Sequence, residues 1–137
     1  MQVVNVSSSS PYLLEAHALW EQNMQEPWQD YAPADMFILI DNNDILGGFA
    51  VYYDESDGVT GNFCSGWAKR HSNVPIEAVL KRLAWNVGDV YFKTQRRTAK
   101  ILLEKIGEKV KTVGRFVYYV IRGNKNGFSE NRKESIS

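Results

Sequence analysis

Two kinds of apolar spacing follow one another along the 137-residue chain, and they predict where its strands and helices lie. Short β-branched or continuously apolar runs predict strands at residues 2–6, 36–40, 45–53, 59–68, 89–93 and 115–121. Apolar residues three or four positions apart predict helices at 12–24, at 75–87 and between Thr94 and Gly107. Short turns join the three strands in the middle of the chain, so we expect an antiparallel meander there.

Residues with special backbone preferences predict the ends of these elements. Ser10 is a suitable N-cap for the first helix, and Pro11 suits its first position, where the missing N–H would have no helical partner. Thr94 is the corresponding cap of the third helix, which Gly107 ends. The pair Gly47–Gly48 inside a strand predicts a bulge or a place where another backbone comes close.

This order of elements predicts a single α+β domain over residues 1–121. Its sheet is mostly antiparallel, and a strand–helix–strand unit in the C-terminal half adds a parallel pair, because a crossover helix brings the chain back in the same direction. The length suffices for one domain with its own core. Residues 122–137 carry few apolar side chains and predict a polar C-terminal tail.

Charge and hydropathy argue against several classes of partner. Sixteen basic residues balance sixteen acidic ones, so we expect neither a nucleic-acid nor a membrane partner. Lys93, Arg96, Arg97 and Lys100 cluster, and we interpret them as a solvated helix start, with an acidic partner or a phosphate as the alternative. No apolar run could span a bilayer and no secretory signal opens the chain, which predicts a cytoplasmic protein or one packaged by whatever makes it.

Few side chains offer nucleophilic or metal chemistry. Cys64 lies in a predicted strand, and we favour a buried, inert thiol over a nucleophile because neither histidine is close to it in sequence. His17 falls on the apolar stripe of the first helix and is interpreted as a boundary residue rather than a catalytic one. One cysteine and two histidines are too few for a structural zinc site, so no metal is expected.

The most specific stretch is AKILLEKIGEKV, residues 99–110, in which an amphipathic helix ends at a glycine and passes into a strand. Together with the order of elements over residues 2–121, it resembles the GNAT acetyltransferase superfamily. The last helix of that family commonly reads Asn-x-x-Ala-x-x-x-Tyr-x-x-x-Gly-Phe, and Ala99 and Gly107 occupy the alanine and glycine positions. The resemblance implies a GNAT fold, acetyl-CoA as the acyl donor and an amine as the acceptor.

The same comparison shows three departures from the family pattern. Arg96 stands at the asparagine position, Leu103 at the tyrosine position and Glu108 at the phenylalanine position. In the family that tyrosine can protonate the leaving thiolate of coenzyme A, and a leucine has no proton to give. The sequence therefore names no confident catalytic residue.

A further departure lies in the loop before the second helix. Family members hold the coenzyme A pyrophosphate on a loop of the type Arg/Gln-x-x-Gly-x-Gly/Ala, whereas the corresponding AKRHSNVP has no glycine, and Pro75 removes one N–H. Lys69, Arg70 and His71, with Arg96, are the side chains left to hold an anion, as a vestigial coenzyme A site. A solvated basic turn is the favoured alternative.

Three acids in one turn, Asp54, Glu55 and Asp57, are the available general bases. Acids are common in such turns because their side chains hydrogen-bond nearby backbone groups. We therefore assign the catalytic role to none of them.

Two functions remain open from the sequence. The departures favour a GNAT-fold protein without catalysis that acts in assembly or binding, with acetyl-CoA bound weakly or not at all. In length and element order the chain is similar to small GNAT-like proteins of short-tailed bacteriophages, including internal virion proteins, which implies protein partners and a virion location. The alternative is an acetyl-CoA-dependent N-acetyltransferase acting on an amine of a small molecule or protein.

Aromatic side chains and the tail are the candidate contact surfaces. Trp20, Trp28, Tyr31 and Trp67 could line an acceptor groove or a protein interface. For any one of them, packing in the core is the favoured interpretation.

Overall fold

Seven strands and three helices follow one another in the computed structural model, which describes residues 2–28, 34–69 and 75–123. In chain order they are β1 (Gln2–Val6), α1 (Leu13–Met24), β2 (Asp35–Asp41), β3 (Asp44–Ser56), β4 (Val59–Ala68), α2 (Ile76–Val87), β5 (Val90–Thr94), α3 (Arg97–Ile106), β6 (Glu108–Val113) and β7 (Phe116–Ile121). The predicted strands and helices are all present, with ends that differ by at most a few residues.

The strands form one sheet in the order β1-β2-β3-β4-β5-β7-β6. The pairs β1/β2, β2/β3, β5/β7 and β6/β7 are antiparallel. The pair β4/β5 is parallel, with Asn62 opposite Val90 and Phe63 opposite Tyr91, and α2 is its crossover. The predicted α+β class with one parallel strand–helix–strand unit is confirmed.

The chain divides into two compact units. The first comprises Met1–Tyr53 and Cys64–Val74, and the second comprises Asp54–Phe63 and Pro75–Ser137. Strands β3 and β4 contribute residues to both units, because each strand crosses from one unit into the other. Of the predicted tail, residues 122 and 123 are described, and residues 124–137 lie outside the described part of the chain.

The core of the first unit forms between α1 and the adjoining strands. Trp20 of α1 is 0% exposed and packs with alternate residues of β2, namely Met36, Ile38 and Ile40. Successive residues of a strand point to opposite faces, so this alternation directs one face of β2 toward the helix. Trp28 contacts Trp20 edge to face, with ring centroids 5.1 Å apart. Trp20 is thus a core residue, as favoured from the sequence.

The glycine pair in β3 has both predicted features. The register of β2 with β3 shifts between Leu39 and Ile40, which leaves Leu46 as a bulge without a counterpart in β2. At Gly47, a Cβ would lie 2.9 Å from the main-chain oxygen of Trp67, which is the predicted close backbone. At Gly48, a Cβ would lie 2.7 Å from the indole Nε1 of Trp67. A side chain at this position would therefore displace Trp67.

The core of the second unit lies on α2 and β7. Helix α2 buries one stripe, which consists of Val79, Leu80, Leu83 and Ala84. In β7 every residue from Val117 to Ile121 is buried, so both faces of this strand are covered.

The first helix begins later than predicted. Tyr12, rather than Ser10, is the N-cap, and the helix starts at Leu13, so Pro11 lies in the preceding turn. The Ser10 hydroxyl instead accepts a hydrogen bond from the N–H of Tyr12, at 3.1 Å. A serine that bonds the backbone two residues ahead stabilises a turn before the helix, and it is then unavailable as the cap.

The third helix departs from prediction in the same way. Arg96 is its N-cap, and the Thr94 hydroxyl accepts a hydrogen bond from the N–H of Arg96, at 3.0 Å. Gly107 follows the last helical residue, as predicted.

Strand β6 was predicted only as a strand that follows Gly107, without bounds, and it is absent from the strands predicted from apolar runs. Its residues EKVKTV are exposed at five of six positions, and a register shift against β7 between Lys109 and Lys111 leaves Val110 as a bulge. Exposed, charged edge strands lack the apolar run from which strands are recognised. Because β6 intervenes, β7 runs antiparallel to β5.

None of the helices in the described ranges is both long and apolar enough to cross a membrane.

The burial of Trp20 predicts a large effect of its removal. Trp20→Ala should lower the free energy of unfolding by about 3–5 kcal/mol, because it leaves a cavity in the first unit. Leu14→Ala is the matched control in the same helix; its side chain is 83% exposed, and the change should stay within about 0.5 kcal/mol. Urea unfolding measures both, and equal losses for the two variants would contradict the assigned core.

Candidate functional site

The residues predicted to hold an anion are only partly placed. Lys69 follows β4 in the first unit; it is exposed, and its main-chain N–H donates to the carbonyl oxygen of Leu46 at 2.9 Å. Arg96 is exposed at the N-cap of α3 in the second unit. Arg70 and His71 lie outside the described residues. No common site of all four can therefore be assembled from the described residues.

The start of α2 is the place where the family cradles the pyrophosphate. Pro75 is the N-cap residue and has no N–H, and among the described residues no side chain caps the helix there. The preceding residues 70–74, which would complete the loop, lie outside the described part of the chain. The described end of the loop thus has one donor fewer than a glycine-rich loop provides.

Helix α3 and the residues after it show the surroundings of the positions that match or depart from the family motif. Leu103 is 3% exposed and is the one buried residue of this helix. Gly107 is held close to β7, since a Cβ there would lie 2.7 Å from the carbonyl oxygen of Val120. Glu108 is exposed at the start of β6, and its Oε1 lies 3.4 Å from Nη2 of Arg122. The tyrosine position is thus a packing position, and no hydroxyl is present there.

Two of the three candidate acids near the end of β3 make hydrogen bonds to nearby main-chain N–H groups. The Asp54 carboxylate accepts from the N–H of Glu55 at 2.8 Å, and the Glu55 carboxylate accepts from the N–H of Gly58 at 2.9 Å. Both contacts are local, as predicted, but Asp54 and Glu55 lie at the end of β3, whereas the sequence placed them in the turn. Asp57 differs, because its side chain leaves the turn.

The Asp57 carboxylate accepts a hydrogen bond from the hydroxyl of Tyr118 in β7. The same hydroxyl lies 2.7 Å from Ser56 Oγ. The Tyr118 side chain is fully buried, at 0% exposure, and its ring contacts Phe63 edge to face at 6.3 Å. We call Ser56, Asp57, Lys93, Lys111 and Tyr118 the hairpin-tip cluster.

Two lysines complete this cluster. Lys93 Nζ donates to Ser56 Oγ at 3.3 Å, lies 3.8 Å from the Asp57 carboxylate and sits 4.8 Å from the centre of the Phe116 ring. Lys111 Nζ donates to the main-chain oxygen of Asp57 at 2.7 Å. Lys93 lies in β5, within the strand predicted at 89–93, but its ammonium group contacts the turn and does not belong to a solvated helix start.

This arrangement restrains the turn and leaves Asp57 poorly suited as a general base. Its carboxylate already receives the Tyr118 proton donor and faces an ammonium group. The ion pair itself contributes little, because both side chains are more than a third exposed to solvent. The hydrogen bond from the buried Tyr118 hydroxyl to Asp57 contributes more to stability than the ion pair, because a buried hydroxyl without a partner would be costly. Sequence reasoning missed Tyr118 because it lies 61 residues from Asp57.

Tyr119, the neighbour of Tyr118, is held in a different way. It is also 0% exposed, and its hydroxyl donates to Glu104 of α3 at 2.9 Å. Burial, the hydrogen bond to Glu104 and the charge of that carboxylate together raise the pKa of Tyr119 from 10.0 to about 12. A tyrosine with this pKa is a weak proton donor at neutral pH.

The remaining candidates pack in the structure. Cys64 is buried, as predicted, and burial raises the pKa of its thiol from 9.0 to about 12, which favours the protonated form over the nucleophilic thiolate. His17 is half-buried and stacks on Trp28, with ring centroids 5.5 Å apart. Trp28 and Trp67 are partly buried against the first core, and Tyr31 lies outside the described residues. Within the described ranges, no three His, Cys, Asp or Glu residues form a group that could hold a metal ion.

Comparison with solved structures identifies the fold. A ribosomal-protein-alanine N-acetyltransferase from Brucella melitensis matches 89% of this chain and 99% of its own, with a TM-score of 0.60 and 8% identity. The N-acetyltransferase PseH from Campylobacter jejuni in complex with acetyl coenzyme A matches 88% and 97%, with a TM-score of 0.54 and 11% identity. A GNAT-family acetyltransferase from Streptococcus pneumoniae matches 87% and 96%, with a TM-score of 0.52 and 10% identity.

Neither a protein-family model nor the sequence of a curated protein matches the chain. The structural matches cover nearly the whole of each relative at very low identity. The protein therefore has the GNAT fold, as the resemblance implied, with a sequence far from that of these enzymes.

The hairpin-tip cluster predicts a loss of stability when its buried hydroxyl is removed. Tyr118→Phe should lower the free energy of unfolding by about 1–2 kcal/mol, because Asp57 and Ser56 lose a partner and can regain water only in part. Hydrogen exchange at residues 54–60 should also accelerate. Tyr53→Phe is the control, since that side chain is 73% exposed; an equal loss in both variants would show that the cluster does not restrain the turn.

The raised pKa of Tyr119 predicts a pH dependence of stability. Below pH 10 the tyrosine is protonated in both states; between pH 10 and about 12 the unfolded chain loses the proton while the folded state retains it, so stability falls as pH rises. Urea midpoints of the wild type and Tyr119→Phe should therefore converge above pH 10. Parallel curves would contradict the assignment.

Proposed function

We propose that this GNAT-fold protein acts by binding other proteins and does not perform the tyrosine-assisted acetyl transfer that the resemblance to the GNAT superfamily implies. The observation that carries the proposal is Leu103. It occupies the position of the family's proton-donating tyrosine and is 3% exposed. A buried leucine supplies packing energy to the helix and cannot protonate a leaving thiolate.

The two tyrosines of β7 do not offer an evident replacement for that acid. The Tyr118 hydroxyl donates to Asp57, and the Tyr119 hydroxyl donates to Glu104. Each proton is thus directed at a carboxylate inside the second unit. This supports a structural role for both hydroxyls.

The described residues also fit acetyl-CoA poorly. The bound molecule would supply an activated acetyl group as a thioester, with its pyrophosphate at the start of α2. Pro75 lacks an N–H at the start of the helix, and no side chain in the described part of the chain caps it. Lys69, Arg70, His71 and Arg96 remain as side-chain charges that could attract the phosphates. We derive no reaction step through this group.

A protein partner is the class of ligand that the sequence pattern favours. The EKIG turn out of α3, without the tyrosine, is similar to that of small GNAT-like proteins of short-tailed bacteriophages, which supports a role in a virion or its assembly. The exposed large apolar side chains differ from those suggested by the sequence. Among the described residues they are Leu14, Tyr53, Trp85, Ile101 and Val110.

An acetyl-CoA-dependent N-acetyltransferase is the second candidate. It is favoured by the structural relatives, which are N-acetyltransferases, one of them bound to acetyl coenzyme A. Its acceptor would be an amine of a small molecule or protein. It requires an acid other than the family's tyrosine, or water in that role.

Calorimetric titration with acetyl-CoA separates the two candidates. We expect no saturable binding in the micromolar range, because Pro75 removes one N–H donor from the start of α2 and the preceding loop sequence contains no glycine. PseH from Campylobacter jejuni, whose structure contains acetyl coenzyme A, is the positive control. Saturable micromolar binding that Arg96→Ala weakens would contradict the proposal, and release of free coenzyme A with an amine acceptor would establish the enzyme.

A further inference from the structure

The sheet ends in two edge strands of different character. Strand β1 lies at one end of the strand order and β6 at the other. Every second residue of an edge strand points its N–H and C=O groups away from the sheet, where another strand can pair with them. Among the described residues, no further strand pairs with the outer side of either edge.

Strand β6 carries the features that discourage such pairing. Three of its six residues, Glu108, Lys109 and Lys111, are charged, and Val110 forms a bulge. Charge and a bulge both interfere with the regular approach of a second strand. This edge is therefore protected against association.

Strand β1 has none of these features. Its residues are QVVNV, with no charge, no proline and no glycine. All five pair with β2 in unbroken register, from Gln2 opposite Ile40 to Val6 opposite Met36. Val4 and Val6 face the first core, while the side chain of Asn5 is exposed. A regular, uncharged and valine-rich edge is a template for strand addition.

We propose that β1 pairs with β1 of a second copy of this chain, antiparallel and about a twofold axis at Val4. In this register Val4 lies opposite its own counterpart, and Val3 of each copy lies opposite Asn5 of the other. A twofold axis perpendicular to the sheet keeps the core-facing side of both strands on the same side, so the two sheets become continuous. The result is an isologous homodimer.

Charge is the reason for assigning a second copy rather than another peptide. The strand brings no charge of its own, and the whole chain has a formal net charge of +0, so two copies approach without long-range repulsion. An uncharged edge also gives a charged peptide no complementary group. The proposal is independent of acetyl-CoA binding, because β1 contains none of the residues assigned to that site.

A charge-pair exchange tests the register. In Val3→Lys/Asn5→Lys, each new ammonium group would lie directly opposite another across the interface, twice per dimer. In Val3→Lys/Asn5→Glu, each ammonium would lie opposite a carboxylate instead. Like charges directly opposite each other destabilise a strand pair, and opposite charges stabilise it. The dimer dissociation constant of the first variant should therefore exceed that of the second by about tenfold.

Sedimentation equilibrium over a range of protein concentrations measures these constants. The wild type should reach twice the 15.6 kDa mass of the chain, the double-lysine variant should shift toward monomer, and the lysine–glutamate variant should recover the dimer. Thr112→Lys on the opposite edge is the control and should leave the wild-type constant unchanged. Circular dichroism and hydrogen exchange of β2 verify that each variant folds.

Several results would overturn the proposal. The first is a wild type that stays monomeric at every concentration, whether or not it binds an extended peptide instead. The second is a dimer that the double-lysine change leaves intact. The third is a lysine–glutamate variant that does not recover the dimer. Should the double-lysine variant fail to fold, Asn5→Lys alone places its two ammonium groups on a diagonal of the same interface. That variant must then weaken the dimer several-fold.

Discussion

Two adjacent buried tyrosine hydroxyls organise the second unit. Tyr118 and Tyr119 are both 0% exposed, and consecutive strand residues point to opposite faces of the sheet. Each hydroxyl must find a partner where water is absent, and each finds a carboxylate in the element that covers its face. Tyr118 meets Asp57 of the β3–β4 turn, and Tyr119 meets Glu104 of α3. Strand β7 thereby connects the turn on one face with the helix on the other.

In α3, the position that packs the helix is also the position of the family's proton donor. Leu103 is the single buried residue of this amphipathic helix, so it carries much of the contact by which the helix packs. A tyrosine there would bring a hydroxyl that needs either a partner or solvent. Replacing tyrosine by leucine keeps the helix in place and removes its proton donor in one step. Retention of the GNAT fold with loss of the family's motif is physically consistent.

The spacing of apolar residues predicted most of the fold, because burying one face of a strand or helix imposes that spacing. The strands of the meander, the stripe of α2 and the crossover to β5 follow from apolar spacing alone. Helix starts were harder to predict, since Ser10 and Thr94 bond the backbone two residues ahead and shape turns rather than caps. The bounds of strand β6 were not predicted, because an exposed edge strand needs no apolar run. The candidate site was the least predictable: the contact between Asp57 and Tyr118 joins residues 61 positions apart, and no spacing rule reports it.

Cys64 makes the molecule a reporter of its own opening. It is the only cysteine in the chain, and it is buried within β4, with a thiol that burial holds in the protonated form. A thiol-reactive dye can attack it only after the strand around it has opened. The rate at which the dye labels Cys64 therefore measures the frequency of that opening under native conditions, without any engineered residue.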